Sequence, residues 1–122
     1  MTALKVLMTG ASGYIASQLL PVFLNRYKMT LVDITDKDRN GNKVEGITIL
    51  DLAATERSNF QSYFNEIDAV VHLGHKHRSD DPLDAFHDEI ENVRMAYNVL
   101  RSAYEAKVPR IVVASSNHAA DW

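Results

Sequence analysis

"VLMTGASGYIA", residues 6–16, joins an apolar run to a helix-like run through two glycines. Gly10 follows the apolar run directly, Gly13 comes three residues later, and Ala16 falls in the opening turn of the next segment. A glycine at such a turn adopts backbone conformations that side chains forbid, and a second lets an anionic group approach the main chain. A helix N-terminus then offers unpaired N–H groups and positive dipole potential, for which a pyrophosphate is the natural occupant. Ala16 is small enough to let the helix pack closely on a sheet. A glycine pair alone also describes an ordinary tight turn, so the surroundings decide. Asp33 ends the second apolar run, twenty residues beyond Gly13. A carboxylate there accepts hydrogen bonds from ribose hydroxyls and repels a 2'-phosphate. The pattern predicts dinucleotide binding with NAD preferred over NADP, although Lys37 and Arg39 lie near enough in sequence to serve a phosphate.

Outward from this turn, short apolar runs at 4–8, 29–34, 47–50, 69–73 and 110–114 alternate with helix-like stretches. Continuous runs of this length read as strands covered on both faces. Residues 13–26 carry Ile15, Leu19 and Phe23 four apart, with Leu20 and Leu24 beside them, predicting a helix with one apolar face. Pro21 lies inside it and is expected to bend the axis. Residues 83–107 form the clearest helix, with Phe86, Ile90, Val93, Tyr97, Leu100 and Tyr104 spaced by four and three as its core-facing stripe. A weaker helix is read over 55–64, where Thr55 could cap and Phe60 and Phe64 share a face. Residues 35–46 are polar, contain Asn40-Gly41 and read as a surface loop. Alternating strands and helices imply a parallel sheet with right-handed crossovers. The predicted fold is α/β, a Rossmann-type sheet of five strands in order 3-2-1-4-5 with helices on both faces and the cofactor site at the carboxyl ends of the strands.

The chain has 122 residues, enough for one domain with a core, and its 46% hydrophobic content is that of a globular protein. Thirteen basic against 16 acidic residues leave a net charge of -3. No basic run tracks a phosphate backbone, which argues against nucleic acid as a partner. No apolar run approaches the ~20 residues of a helical membrane span, and no cleavable signal pattern precedes the glycine turn. The absence of cysteine excludes disulfides and thiolate chemistry and fits a reducing cytoplasm. A phosphoacceptor receiver domain also fits this length, but it needs acidic residues after the first strand and a lysine after the fifth. Thr9-Gly10 and Ser115-Ser116 stand there instead.

Other residues have plain readings beside functional ones. His75-x-His77 with Asp80 and Asp81 resembles a metal cluster, yet a catalytic metal needs about three converging ligands and a polar loop solvates such side chains, so no metal is expected. His72 reads as a satisfied strand-end residue, and Asp51 could be no more than a strand-terminal turn residue. Asn92 and Asn98 could be helix-packing polar groups. Ser115 and Ser116 could end their strand by bonding local backbone.

Taken together, "TGASGYIA", "LVDI", "ILDLA", "VVHLG", "NVRMAYNVLRSA" and "RIVVASSNH" follow one another in an order that resembles the extended short-chain dehydrogenases/reductases, the NAD-dependent epimerase/dehydratase family. The resemblance spans the chain, and "PRIVVASSNH" looks most like the uronate dehydrogenases, which oxidise hexuronic acids to aldaric lactones with NAD. It implies that Gly10, Gly13, Tyr14 and Ile15 line the pyrophosphate and that Asp33 holds the adenosine ribose. Asp51 and the Leu52 backbone would flank adenine, Leu73 and Gly74 would lie under the cofactor, and Asn92 would face it. Ser116 matches the family serine that hydrogen-bonds the reacting hydroxyl, and Asn117 and His118 match residues that grip a sugar-acid substrate. After "HLG" the chain departs from the family with "HKHRSDD", where small residues are usual.

Hydride transfer in this family uses a tyrosine tuned by a lysine four residues later. No Tyr-x-x-x-Lys occurs in the sequence. The expectation is therefore the N-terminal, NAD-binding part of a sugar-acid dehydrogenase, residues 1–122 as one partial domain, inactive by itself. A nucleotide-sugar epimerase or dehydratase and a non-catalytic NAD-sensing module are the alternatives. The far edge of the fifth strand is expected to recruit a second copy near residues 110–118, giving a homo-oligomer.

Overall fold

Runs of Val, Ile and Leu become strands when a sheet is covered on both faces, because neither face then needs polar side chains. The computed structural model describes residues 3–115. Its strands are β1 (Lys5–Thr9), β2 (Lys28–Asp33), β3 (Ile47–Ile49), β4 (Ala69–His72) and β5 (Arg110–Val113). They form one parallel sheet in the order β3-β2-β1-β4-β5, as expected. The reversal of direction on either side of β1 opens a crevice at the carboxyl ends of β1 and β4.

Side-chain alternation divides the core in two. Val6, Met8, Leu31 and Val71 face α1 (Tyr14–Arg26), which contributes Ala16 and Leu20. Leu7, Val32 and Val70 face α2 (Pro82–Glu105), which contributes Val99 and Ala103. The polar 35–46 segment is a loop closed on itself: Lys37 and Lys43 form an isolated bridge, and Asp38 Oδ1 accepts from the Asn40 and Asn42 N–H groups.

Three sequence expectations are corrected. In α1 the buried pair is Ala16 and Leu20, with Leu19 and Phe23 partly buried, whereas Ile15 and Leu24 are exposed; the helix continues through Pro21, which lies on its exposed side. Residues 55–64 form two 3-10 turns, Arg57–Asn59 and Gln61–Phe64, and Thr55 caps neither. A four-residue spacing brings Phe60 and Phe64 into the core through consecutive turns as readily as through one helix.

The third correction concerns α2. Its stripe of large apolar residues points away from the sheet: Val93 is 69% exposed, Tyr97 59% and Tyr104 74%, with Phe86, Ile90 and Leu100 also exposed. The sheet side consists of Ala85, Asp88, Asn98, Val99, Ser102 and Ala103. Small residues allow a close approach, and Asn98 fits there because its Nδ2 donates to the Leu52 and Ala54 carbonyls at 2.8 and 2.9 Å. The 3.5-residue spacing identifies a stripe but carries no information on what covers it. β5 closes the sheet with exposed residues throughout and is bonded on its inner side to β4.

Candidate functional site

Gly10 is the residue on which the two sides of the crevice meet. It has φ +67°, and a Cβ on it would lie 2.7 Å from both the Gly74 nitrogen and the Leu73 carbonyl carbon. Only glycine tolerates both the left-handed conformation and that approach. The turn continues with the Gly13 N–H donating to the Gly10 carbonyl at 3.0 Å, and Gly13 then starts α1 with no side chain capping it. The first-turn N–H groups, at Tyr14 and Ile15, are thus left for solvent or a ligand. Arg39 stacks its guanidinium over the Tyr14 ring at 4.8 Å.

Asp33, at the end of β2, is tied to the same turn. Its Oδ2 accepts from the Ser12 N–H at 3.0 Å and the Ser12 hydroxyl at 2.6 Å, and its Oδ1 accepts from the Ile34 N–H at 2.7 Å. Between Gly10, Asp33 and the β4 loop lies a cleft of about 320 Å³. Asp51, Leu52, Gly74, Lys76 and Met95 also line it. The structure therefore brings five of the anticipated residues, Gly10, Asp33, Asp51, Leu52 and Gly74, to one cleft. Asp51 also acts as a turn residue, its Oδ1 accepting from the Ala53 N–H at 3.0 Å.

Asn92 stands differently. Its Oδ1 accepts from the Lys76 N–H at 2.7 Å and its Nδ2 donates to the Lys76 carbonyl at 2.8 Å, so its amide is used in clamping the loop after β4. Lys76 Nζ reaches Glu91 at 2.6 Å and Asp88 at 3.2 Å, and these hydrogen bonds, Glu91 first, raise its pKa above the usual lysine value. Asp88 is shifted the other way by the Ser79 N–H and then by Lys76. Asp81 caps α2, accepting from the Leu83 N–H at 2.9 Å. Among the described residues no three His, Asp or Glu side chains come together as a metal site. Ser116, Asn117 and His118 lie outside the described residues.

Sequence reasoning passed over Ser12, Thr9 and Lys76. Ser12 occupies a variable place in the glycine fingerprint, and its hydroxyl beside a strand-end carboxylate was the available signal. Thr9 meets His72 at 2.6 Å, a contact that depends on strand register and is invisible in sequence. Burial and, secondarily, His75 lower the pKa of His72.

No helix among the described residues is long and apolar enough to cross a membrane. Over 93% of its length the chain is 27% identical to L-arabinose 1-dehydrogenase (NAD(P)(+)) of Haloferax volcanii, of which it covers 41%. Glucuronic acid dehydrogenase from Chromohalobacter salexigens is 30% identical over 94% of this chain and 41% of its own, with a TM-score of 0.71. A uronate dehydrogenase variant from Agrobacterium tumefaciens, solved with NAD, is 26% identical over 96% of this chain and 42% of its own, with a TM-score of 0.73. The chain thus spans about two-fifths of the length of these relatives. A match over residues 6–121 completes the assignment: the chain belongs to the NAD dependent epimerase/dehydratase family.

Proposed function

We propose that residues 1–122 are the NAD-binding domain of a sugar-acid dehydrogenase. The observation that carries this reading is the contact of Gly10 with Gly74 at the floor of a cleft whose rim holds Asp33. That arrangement fits a dinucleotide: bare backbone at the Gly10 turn, α1 starting directly after that turn, and a carboxylate lining the cleft for ribose hydroxyls. Gly10, Gly13, Tyr14 and Ile15 would hold the pyrophosphate, and Asp33 the adenosine ribose. Asp51 and Leu52 would flank adenine, and Leu73 and Gly74 would support the cofactor. Asn92 would serve indirectly by fixing the Lys76 backbone. NAD supplies the hydride acceptor when bound.

The sugar-acid part rests on the similarity to uronate and glucuronic acid dehydrogenases, with Ser116 assigned to orient the reacting hydroxyl and Asn117 and His118 to grip the substrate. Turnover belongs to a longer protein in this reading, because the 122 residues carry no Tyr-x-x-x-Lys pair. Asp33 disfavours the 2'-phosphate of NADP. A chain with no cysteine suits a reducing cytoplasm. The exposed α2 stripe and the β5 edge support a homo-oligomer, since patches of this kind mark association surfaces.

Calorimetric titration with NAD and NADP tests the cofactor assignment. Saturable NAD binding, weaker NADP binding and loss of affinity in Asp33→Ala are expected; a folded chain that binds neither dinucleotide overturns it. Sedimentation velocity tests the oligomer: Tyr97→Glu should shift a self-associating chain toward monomer, and a wild-type chain that stays monomeric at high concentration refutes it.

A further inference from the structure

The Thr9 hydroxyl sits at the end of β1, immediately before the Gly10 turn, and all of its hydrogen-bonding capacity is used. It accepts from the Gly74 N–H at 3.0 Å and from the Leu73 N–H at 3.1 Å, the latter shared with the Thr9 carbonyl at 3.3 Å. A hydroxyl has two lone pairs and one proton, so the proton must go to the remaining neighbour, His72 Nδ1, at 2.6 Å. That fixes the imidazole as neutral, with its own proton on Nε2. His72 is 5% exposed, and burial holds its pKa below the ordinary value.

We propose that Thr9 and His72 are positioning residues that latch the Gly10 turn to the Leu73–Gly74 backbone, and that a second proton on His72 opens the latch and weakens cofactor binding. Protonated Nδ1 is a donor facing an oxygen that already accepts two N–H groups. The Thr9 proton must then turn away and one backbone N–H must be released. Gly10 packs directly on that backbone, so the floor of the cleft moves with it. The inference rests on the dinucleotide reading of the same cleft.

The neighbours of the ring among the described residues leave its titration simple. β1 presents Thr9 and β5 pairs Val113 beside it. Met95 of α2 reaches the Gly74 side of the ring, and His75 in the following loop is the charged group that acts on it. Burial and then His75 lower the pKa of His72, and both therefore delay opening to lower pH.

Two measurements on the whole chain test this. In the first, nitrogen-15 NMR without ligand follows His72 and the Leu73 and Gly74 amides from pH 7.5 to 5. The Nε2–H tautomer is expected at the upper pH, with both amides shifting as His72 titrates in wild type and remaining still in His72→Asn, whose side-chain oxygen can accept from Thr9 but does not titrate. In the second, NAD affinity is compared at the two pH values. Wild type and Thr9→Ser should lose about tenfold on acidification, whereas His72→Asn and Thr9→Val should give equal affinity at both. His75→Gln should keep a pH dependence, with its midpoint moved toward higher pH because the effect of His75 on the His72 ring is lost. A ring that stays neutral down to pH 5, an Nδ1–H tautomer, amides that ignore His72, or a pH dependence that survives in His72→Asn overturns the latch. Absence of NAD binding throughout, with the amides still following His72, instead overturns the dinucleotide reading and with it the cofactor role of the latch.

Discussion

Ser12 donates twice to Asp33, from its backbone N–H and from its hydroxyl, so the carboxylate at the end of β2 is held by the turn it is proposed to assist. Hydrogen bonds to a charged acceptor are each worth about 1.5–3 kcal/mol. Ser12→Ala removes one and keeps the other, and should lower the urea stability by about 1–2 kcal/mol while retaining NAD binding. Asp33→Asn loses the charge as well, and its NAD affinity, measured by calorimetry, should fall by about tenfold or more.

Gly10 and Gly13 should respond very differently to alanine. At Gly10 the added methyl meets backbone 2.7 Å away in a left-handed conformation, and urea unfolding should report a loss of about 2–5 kcal/mol. At Gly13 φ is -79° and the nearest atom, the Gly10 carbonyl oxygen, is 3.2 Å from the new carbon. A cost of about 1 kcal/mol or less is expected there.

Asn98 satisfies two carbonyls beneath α2. Asn98→Leu strands both and should destabilise by about 1–3 kcal/mol in thermal or urea unfolding. Tyr104→Ser, on the exposed side of the same helix, should stay within about 0.5 kcal/mol of wild type at concentrations where the chain is monomeric.

Glu105 supplies a pH dependence of stability. Arg57 engages it through two hydrogen bonds at 2.9 and 3.0 Å and Arg101 through one at 2.7 Å, and together, Arg57 first, they lower its pKa from 4.5 to about 2. Its contribution is fully present above the unfolded value of 4.5 and is lost as pH falls toward 2, because the unfolded carboxyl takes up its proton first. The urea midpoints of wild type and Glu105→Gln should therefore differ at pH 7 and converge near pH 2.

Much of the sheet was legible because Val6 to Met8, Val70 to Val71 and Ile111 to Val113 are unbroken apolar runs, and the turn between β1 and α1 has few alternatives once two glycines precede a helix. Asp33 was legible for the same reason: its distance from Gly13 is fixed by one helix and one strand. Thr9 and His72 were not, since their meeting depends on pairing across 63 residues of sequence. The orientation of α2 differs from the pattern because Phe86 to Tyr104 make the stronger stripe, while the side that packs on the sheet is made of Asp88, Asn98, Val99, Ser102 and alanines. Local pattern ranks faces by hydrophobicity; packing here ranked them by size and by the carbonyls waiting at Leu52 and Ala54.

The register of β1 with β4, running from Val6–Ala69 to Thr9–His72, also bears on how the cleft is assembled. β1 can pair with β2 as soon as residue 33 is available, a short excursion through α1. Its other edge must wait for a segment more than sixty residues away, and closing so long a loop is entropically slow before any contact rewards it. The cleft therefore depends on the longest-range strand pairing of the sheet. Until β4 docks, the Gly10 turn has no partner backbone to rest on, and cofactor present during refolding can select only chains that have already completed their longest-range pairing.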